Sequence, residues 1–227
     1  IKPLSMTQIV GGKFLAGMAL ILIALFPTLL YAYSLDRLGT TVGSLDTGAM
    51  MGSYLGLVFL IANYVAIGVF SSTLTDNQIV AFHSGAVLCF VFYYGFEALA
   101  TLFTQGGAVL FVKNLGMKAR VDSMARGVLD TRDIAYFLSC AVFFLFLATL
   151  QLKKESLVPI VWAVVLLLGI NAVSALFYTR LDMTQDQRYT LSGPAVNTVE
   201  NFNTEVVVDV LLDGRLPAEF ERLKMET

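Results

Sequence analysis

The apolar positions of this chain come in long unbroken blocks separated by short polar punctuation. Phe14 to Leu35 carries no charge over 22 residues, although Pro27 lies inside it, and Thr47 to Thr75 carries none either, with Tyr54 to Ser72 its hydrocarbon-like part. Ile79 to Phe103 holds one histidine and one acid, Ile134 to Leu152 runs 19 residues without charge, and Ser156 to Thr179 runs 24. A helix rises 1.5 Å per residue, so about 20 apolar residues cross a bilayer core of about 30 Å. Each block meets that length. The pattern predicts five membrane-spanning helices, at about 14–35, 54–72, 79–103, 134–152 and within 157–179.

The connections differ in kind. Residues 1–13 are short, mildly amphipathic and bracketed by Lys2 and Lys13, which reads as an interfacial segment leading into the first span. Asp36 to Asp46 is a polar, glycine-containing link, whereas Thr73 to Gln78 is so short that the second and third spans must form an antiparallel hairpin. Gln105-Gly106-Gly107 breaks the chain before a segment reaching Asp133, in which five cations and three aspartates alternate with Leu, Val and Met. That segment reads as interfacial, dipping partway into the membrane. Lys153 to Ser156 then turns the chain directly into the fifth span.

After Thr179 the pattern becomes that of a water-soluble domain. Ser192-Gly193-Pro194 before AVNTVENF predicts a short helix with proline in its first turn, Glu205 to Leu212 reads as a strand, and Pro217 opens a second helix with Glu219 and Glu221 near its start. Some 35 residues are too few for an independent core. The tail therefore reads as the start of a larger α/β domain. The expected fold class is an all-α polytopic membrane protein of about five transmembrane helices, followed by the beginning of an α/β extracytoplasmic domain.

Composition supports this reading. The chain is 57% hydrophobic and 14% charged, with mean hydropathy +0.75, against about 25% charged residues in soluble domains. Its net charge of −2 offers no basic surface for nucleic acid. The first residue is Ile1 and the last, Thr227, falls in a helical pattern, so the sequence reads as part of a longer protein. Cys89 and Cys140 lie in apolar runs and read as packing residues.

Candidate chemistry is sparse. Val10 to Lys13, VGGK, lacks both the earlier glycine and the following Ser or Thr of a phosphate-binding loop, so no nucleotide site is expected in this chain. No hydrolytic triad, HExxH pair or cysteine cluster occurs, and no enzymatic activity, cofactor or metal is expected. Glu97 is the one carboxylate within a predicted span, and such an acid is a functional candidate by default. Its alternative is a position near the span's end, within reach of water or a basic partner. His83 near the opposite end of that span and Asn63 in mid-span complete the transport-path candidates. Asn63, like Asn171, can instead hydrogen-bond a neighbouring helix, and Gly52-xxx-Gly56 has the spacing of close helix packing.

Orientation can be counted from the Lys and Arg residues flanking the spans. Lys2, Lys13, Lys153 and Lys154 fall on one side; Arg37, Lys113, Lys118, Arg120, Arg126 and Arg132 fall on the other, with Arg180 and Arg188 beyond the last span. Taken literally, the excess places the second side in the cytoplasm.

Several stretches resemble known transporters. KPLSMTQIVGGKFLAGM resembles the region of type-2 ABC exporter permeases that follows the cytoplasmic coupling helix and leads into the third span. SSTLTDNQIVAF, FYYGFEAL and SMARGVLDTRDIAYFLS together resemble the GldF family of gliding-motility permeases, and RLDMTQDQRYTLS with VVVDVLLDGRLPAEFERLK resembles the membrane anchor and first extracytoplasmic unit of the companion GldG family. The resemblance implies a partial permease domain over 1–153, a GldG-like anchor over 154–180 and the start of a periplasmic domain over 181–227, fused at Lys153 to Ser156. It further implies a bacterial inner-membrane location, a separate ABC ATPase that hydrolyses ATP, and a second permease subunit or a homodimer. It puts 1–13 and Thr73–Gln78 in the cytoplasm and 104–133 with the tail in the periplasm, where motility proteins could be met. That is opposite to the charge count. The other reading of the same residues is a non-transporting scaffold that anchors a periplasmic domain.

Overall fold

A computed structural model describes residues 4–38, 46–103 and 106–201. The first helix, α1 (Met6–Leu25), begins earlier than the hydropathy pattern alone predicts, because Ser5 accepts from the Gln8 amide while the Gln8 side chain accepts from the Ser5 amide. This reciprocal capping satisfies two otherwise unpaired donors and draws residues 6–13 into the helix. Pro27 then interrupts the run, and α2 (Thr28–Leu38) follows. The break is repaired locally: the Thr28 hydroxyl donates to the Leu25 carbonyl at 2.6 Å, and Tyr54 donates to the Thr28 carbonyl at 3.0 Å.

Helix α3 (Thr47–Leu74) is capped by Asp46 and turns through Thr75–Asn77 into α4 (Gln78–Phe90), capped by Asn77. A single π turn, Val91–Gly95, joins α4 to α5 (Phe96–Ala100), so the expected third span is one run from Gln78 to Ala100. Next, α6 (Gly106–Leu115) packs back along α5, bringing Gly116 against Phe96, and α7 (Met117–Ala125) crosses onto α3. The segment expected to be interfacial is thus two helices, one of them doubling back beside the end of a span.

Strand β1 (Val128–Asp130) precedes α8 (Thr131–Lys153), and α9 (Val158–Leu176) leads to β2 (Arg180–Asp182). The strands pair antiparallel, Val128 opposite Asp182, Leu129 opposite Leu181 and Asp130 opposite Arg180. Five helical runs are long and apolar enough to cross a membrane: Met6–Leu35, Thr47–Leu74, Gln78–Ala100, Thr131–Lys153 and Val158–Leu176. The described residues are therefore mostly helical, with one short ladder that an all-α expectation does not contain.

The core lies where α3 meets α8. Ala66 and Ile67 from α3 pack on Phe137, Cys140 and Phe144 from α8, joined by Met117 and Met124 from α7. Val10, Val69 and Ala148 form a second cluster, so the start of α1 sits beside the ends of α3 and α8. The Thr75–Asn77 and Lys154–Leu157 turns share that end. The α7–β1–β2 region occupies the other.

Contacts divide the chain at Thr190/Leu191. In the second unit the described element is α10 (Gly193–Glu200), with Pro194 in its first turn as the sequence predicts. The expected strand at 205–212 and the helix from Pro217 lie outside the described residues, as does the link over 39–45.

Candidate functional site: a charged clasp at one end of the helices

Three sequence features build this site. The first is Leu129-Asp130-Thr131-Arg132-Asp133, where strand gives way to helix and two acids flank a cation. The second is Arg180-Leu181-Asp182, just past the last apolar helix. The third is the glycine stripe Gly48, Gly52 and Gly56, which presents bare backbone along one face of α3 at four-residue spacing.

Asp130 is the centre. It is fully buried, and Arg180 grips both its oxygens, Nε to Oδ1 at 2.9 Å and Nη2 to Oδ2 at 3.2 Å, while Arg132 reaches Oδ2 at 2.7 Å. Burial alone would push the Asp130 carboxyl up, but the Arg180 hydrogen bonds and the charge of Arg132 outweigh it and hold the group below the ordinary carboxylate value. In return, Asp130 raises the Arg180 guanidinium. Arg132 also stacks over Tyr178, 4.4 Å from the ring centre. The Thr131 amide donates to the Thr179 carbonyl at 3.0 Å, and the Thr179 amide donates to the Thr131 hydroxyl at 3.0 Å.

A second node lies beside the first. Arg120 donates to Asp133 at 2.6 Å and to the Asn114 carbonyl at 3.0 Å, with its guanidinium 4.2 Å from the centre of the Tyr136 ring. Tyr136 in turn donates to the Leu115 carbonyl at 2.7 Å. One arginine and one tyrosine thereby fix the α6–α7 corner onto α8.

Past β2 the chain knots on Asp182. Its carboxylate accepts from the Thr184 amide and hydroxyl, the Tyr189 amide and the Thr190 hydroxyl, at 2.6 to 3.0 Å. The Thr184 hydroxyl and the backbone amides pull the Asp182 carboxyl down to about 2. A depressed folded value means that its stabilisation is complete above the unfolded value near ~3.9 and is lost as pH falls through about 2. Carboxyl-carbon NMR of labelled protein is expected to give a titration midpoint near 2 for this residue; a midpoint near the unfolded value would show that the loop is not held by its carboxylate.

Glycines admit this loop. A Cβ at Gly48 would meet the Met183 carbonyl, one at Gly52 the Met124 carbonyl, and one at Gly56 the Met124 side chain. Gly127, at φ +84, adopts the left-handed turn between α7 and β1, and its carbonyl accepts from the Met183 amide at 2.9 Å. The packing expected of Gly52-xxx-Gly56 is therefore against a short helix and its following turn rather than another span.

The residues singled out in the sequence are not brought together. Glu97 stands in α5 and pairs with Lys118 at 2.6 Å, raising the lysine through that hydrogen bond; Lys118 also reaches Asp122 at 3.5 Å. It has found the basic partner. Asn63 is fully buried, donating to the Phe59 carbonyl at 2.9 Å and across to the Phe137 carbonyl of α8 at 3.1 Å. Asn171 does the same from α9, to Ser139 of α8 at 3.0 Å. His83 is exposed and bonds the Ile79 carbonyl at 2.8 Å within its own helix. It lies 14 residues from Glu97 along one helical run, about 20 Å at helical rise.

Asp130, Asp133 and Arg180 escape sequence reasoning. Their one local signal is an acid–cation–acid string directly before an apolar helix, which reads equally well as solvated charge. No group of three or more metal-ligating side chains occurs among the described residues.

Residues 185–227 match a domain of unknown function, DUF7088. The match begins inside the loop knotted on Asp182 and continues through the tail. Among curated proteins and among solved structures, no match was found.

Proposed function

We propose that this chain is the membrane-spanning part of a bacterial ABC transporter of the gliding-motility type, with four permease-type spans joined to an anchor that carries a periplasmic domain. The reading rests on the resemblance of the six stretches quoted above and on the five apolar runs. The observation that carries it is the clasp. The segment after α9 pairs with β1, clamps Asp130 through Arg180 and enters the glycine stripe of α3. Any rearrangement of α3 and α8 would therefore be passed to the segment Arg180–Thr184.

In this mechanism a separate ATPase docks at the end that carries the Ser5-capped α1 and the Thr75–Asn77 turn, on the cytoplasmic side of the inner membrane. ATP binding there biases the helices between two states only if the ATPase contacts the two states differently. The opposite end faces the periplasm, and a second permease subunit or a second copy completes the membrane assembly. The Lys and Arg count points the other way. Labelling of Arg188→Cys in intact spheroplasts by a membrane-impermeant thiol reagent is expected, and protection of that site would reverse the topology.

Full-length protein isolated from gently solubilised membranes is expected to bring an ATP-hydrolysing subunit with it. Recovery of the intact complex without any ATPase would overturn the transporter reading. The fusion reading makes its own prediction: cleavage at a protease site inserted between Lys154 and Glu155 of the folded full-length chain leaves both pieces associated, since the clasp and the Asn171–Ser139 bond still join them. Dissociation on cleavage would show that the turn alone holds them.

A scaffold without transport is the second reading. The observation favouring it is that the side-chain NH2 groups of Asn63 and Asn171 and the hydroxyls of the Ser71–Ser84 pair are engaged in packing between or within helices. ATP-driven substrate movement in liposomes would exclude it.

A further inference from the structure

Helix α9 has no buried residue and rests chiefly on α8, which leaves a groove of about 560 Å³ along their seam. The groove is lined by Phe143 and Phe146 of α8 and by Pro159, Trp162, Ala163 and Leu166 of α9. It is almost wholly apolar and lies along two helices long enough to cross a membrane. Its two ends differ. Towards the C-terminal part of α9, the Asn171–Ser139 hydrogen bond draws the helices together. At the other end the chain turns through Lys153 and Lys154.

Lys153 falls seven residues after Phe146, two turns along the same face of α8, so the lining stripe runs directly into that cation. Lys154 follows at φ 54 in the tight turn, and Leu157 offers α9 no side-chain cap, which leaves the positive end of the helix dipole at the groove mouth. Glu155 lies 3.5 Å from Lys153, but both are more than two-fifths exposed and such a pair is weak. Two cations against one acid leave the mouth positive. Trp162, mostly exposed within the groove, adds the amphipathic ring favoured close to a membrane interface.

We infer that the α8–α9 groove seats an anionic phospholipid, its acyl chain along Phe146, Trp162 and Leu166 and its phosphate beside Lys153 and Lys154. Charge complementarity selects the headgroup, and the apolar lining selects the chain. A second copy fits the same face poorly, because a two-fold contact there sets each lysine pair against its own counterpart at the same depth. The inference rests on the chain lying in a membrane and is independent of whether it transports anything.

Native mass spectrometry of the full-length protein, given equal amounts of phosphatidylglycerol and phosphatidylethanolamine with identical chains, tests it. The expected result is preferential retention of phosphatidylglycerol, with an affinity loss of about fivefold for each of Lys153→Gln and Lys154→Gln. Lys113→Gln, at the opposite end of the helices, leaves the preference intact, and Ala163→Phe lowers retention of both lipids by filling the groove. Equal retention of the two lipids by the parent protein, an undiminished preference in Lys153→Gln/Lys154→Gln, an equal loss in Lys113→Gln, or a dimer captured through Ala163→Cys would each overturn it. Transport and ATPase recruitment are not read by this experiment, so its failure and that of the transporter proposal are distinguishable.

Discussion

Replacing Asp130 with alanine is expected to destabilise the detergent-solubilised protein by about 3 kcal/mol and to open the segment after α9. Removing one partner of a buried ion pair costs about 3–5 kcal/mol because the remaining charge is left uncompensated. Here the orphans would be Arg180 and Arg132, whose side chains are 45% and 34% exposed and can turn towards water, so the lower end of that range applies. Two hydrogen bonds and an ion pair to one carboxylate vanish together, and the β1–β2 ladder has only three residue pairs to hold it afterwards. Thermal unfolding reads the first effect, and trypsin cleavage after Arg180 and Arg188 reads the second. Asp186→Ala is the control: its pair with Arg188 is exposed on both sides and is worth at most about 1 kcal/mol. If Asp130→Ala unfolds at the parent temperature with unchanged cleavage, the carboxylate does not hold the clasp.

Gly52→Ala is expected to cost at least about 2 kcal/mol, within the range for overpacking a filled interior. The added methyl would meet the Met124 carbonyl and the Gly127 backbone, neither of which can rotate aside as a side chain would. The nearest way out is for α7 and the β1 turn to lift from α3. Gly48→Ala presses on the Met183 carbonyl in the same manner, so the double substitution is expected to release both the α7 turn and the loop after β2. Gly68→Ala in the same helix meets nothing within 4 Å and is expected to be neutral or to stabilise by up to about 1 kcal/mol through helix propensity. Thermal unfolding of the three single variants side by side separates packing from backbone entropy. Equal behaviour of Gly52→Ala and Gly68→Ala would mean that the stripe is not a contact surface.

Much of the site's logic could not be seen in the chain. Asp130 and Arg180 are 50 residues apart, and each stands in a string where charge is unremarkable at a membrane boundary. Asp130 becomes fully buried because β2 closes over it, and nothing in LDTRD says that a partner strand will arrive from beyond two apolar helices. Glu97 shows the opposite case. Its place near a span's end left water or a basic partner open as the alternative to a transport-path role, and Lys118 is a basic partner within reach. Asn63 and Asn171 were equally legible, since an amide in mid-span has few partners other than a neighbouring helix. The early start of α1 was readable too, as Ser5 stands three residues before Gln8, although the apolar block alone begins at Phe14.

The sequence by itself determined the helices: charge-free length sets which segments can cross a membrane, the polar residues at Ser5, Asp46 and Asn77 set where helices begin, and the brevity of Thr75–Asn77 and Lys154–Leu157 sets which neighbours run antiparallel. These are local effects of hydration and backbone hydrogen bonding, fixed within a few residues of their cause. Only the tertiary structure decided which apolar face meets which, that α6 doubles back beside α5, and that the exit from the last span returns to β1 instead of leaving at once. The reason is physical. Among apolar helices in an apolar solvent, burial offers little preference, so selection falls to close contacts such as Gly52 on Met124 and to pairings such as Asp130 with Arg180, which exist only once distant segments are side by side.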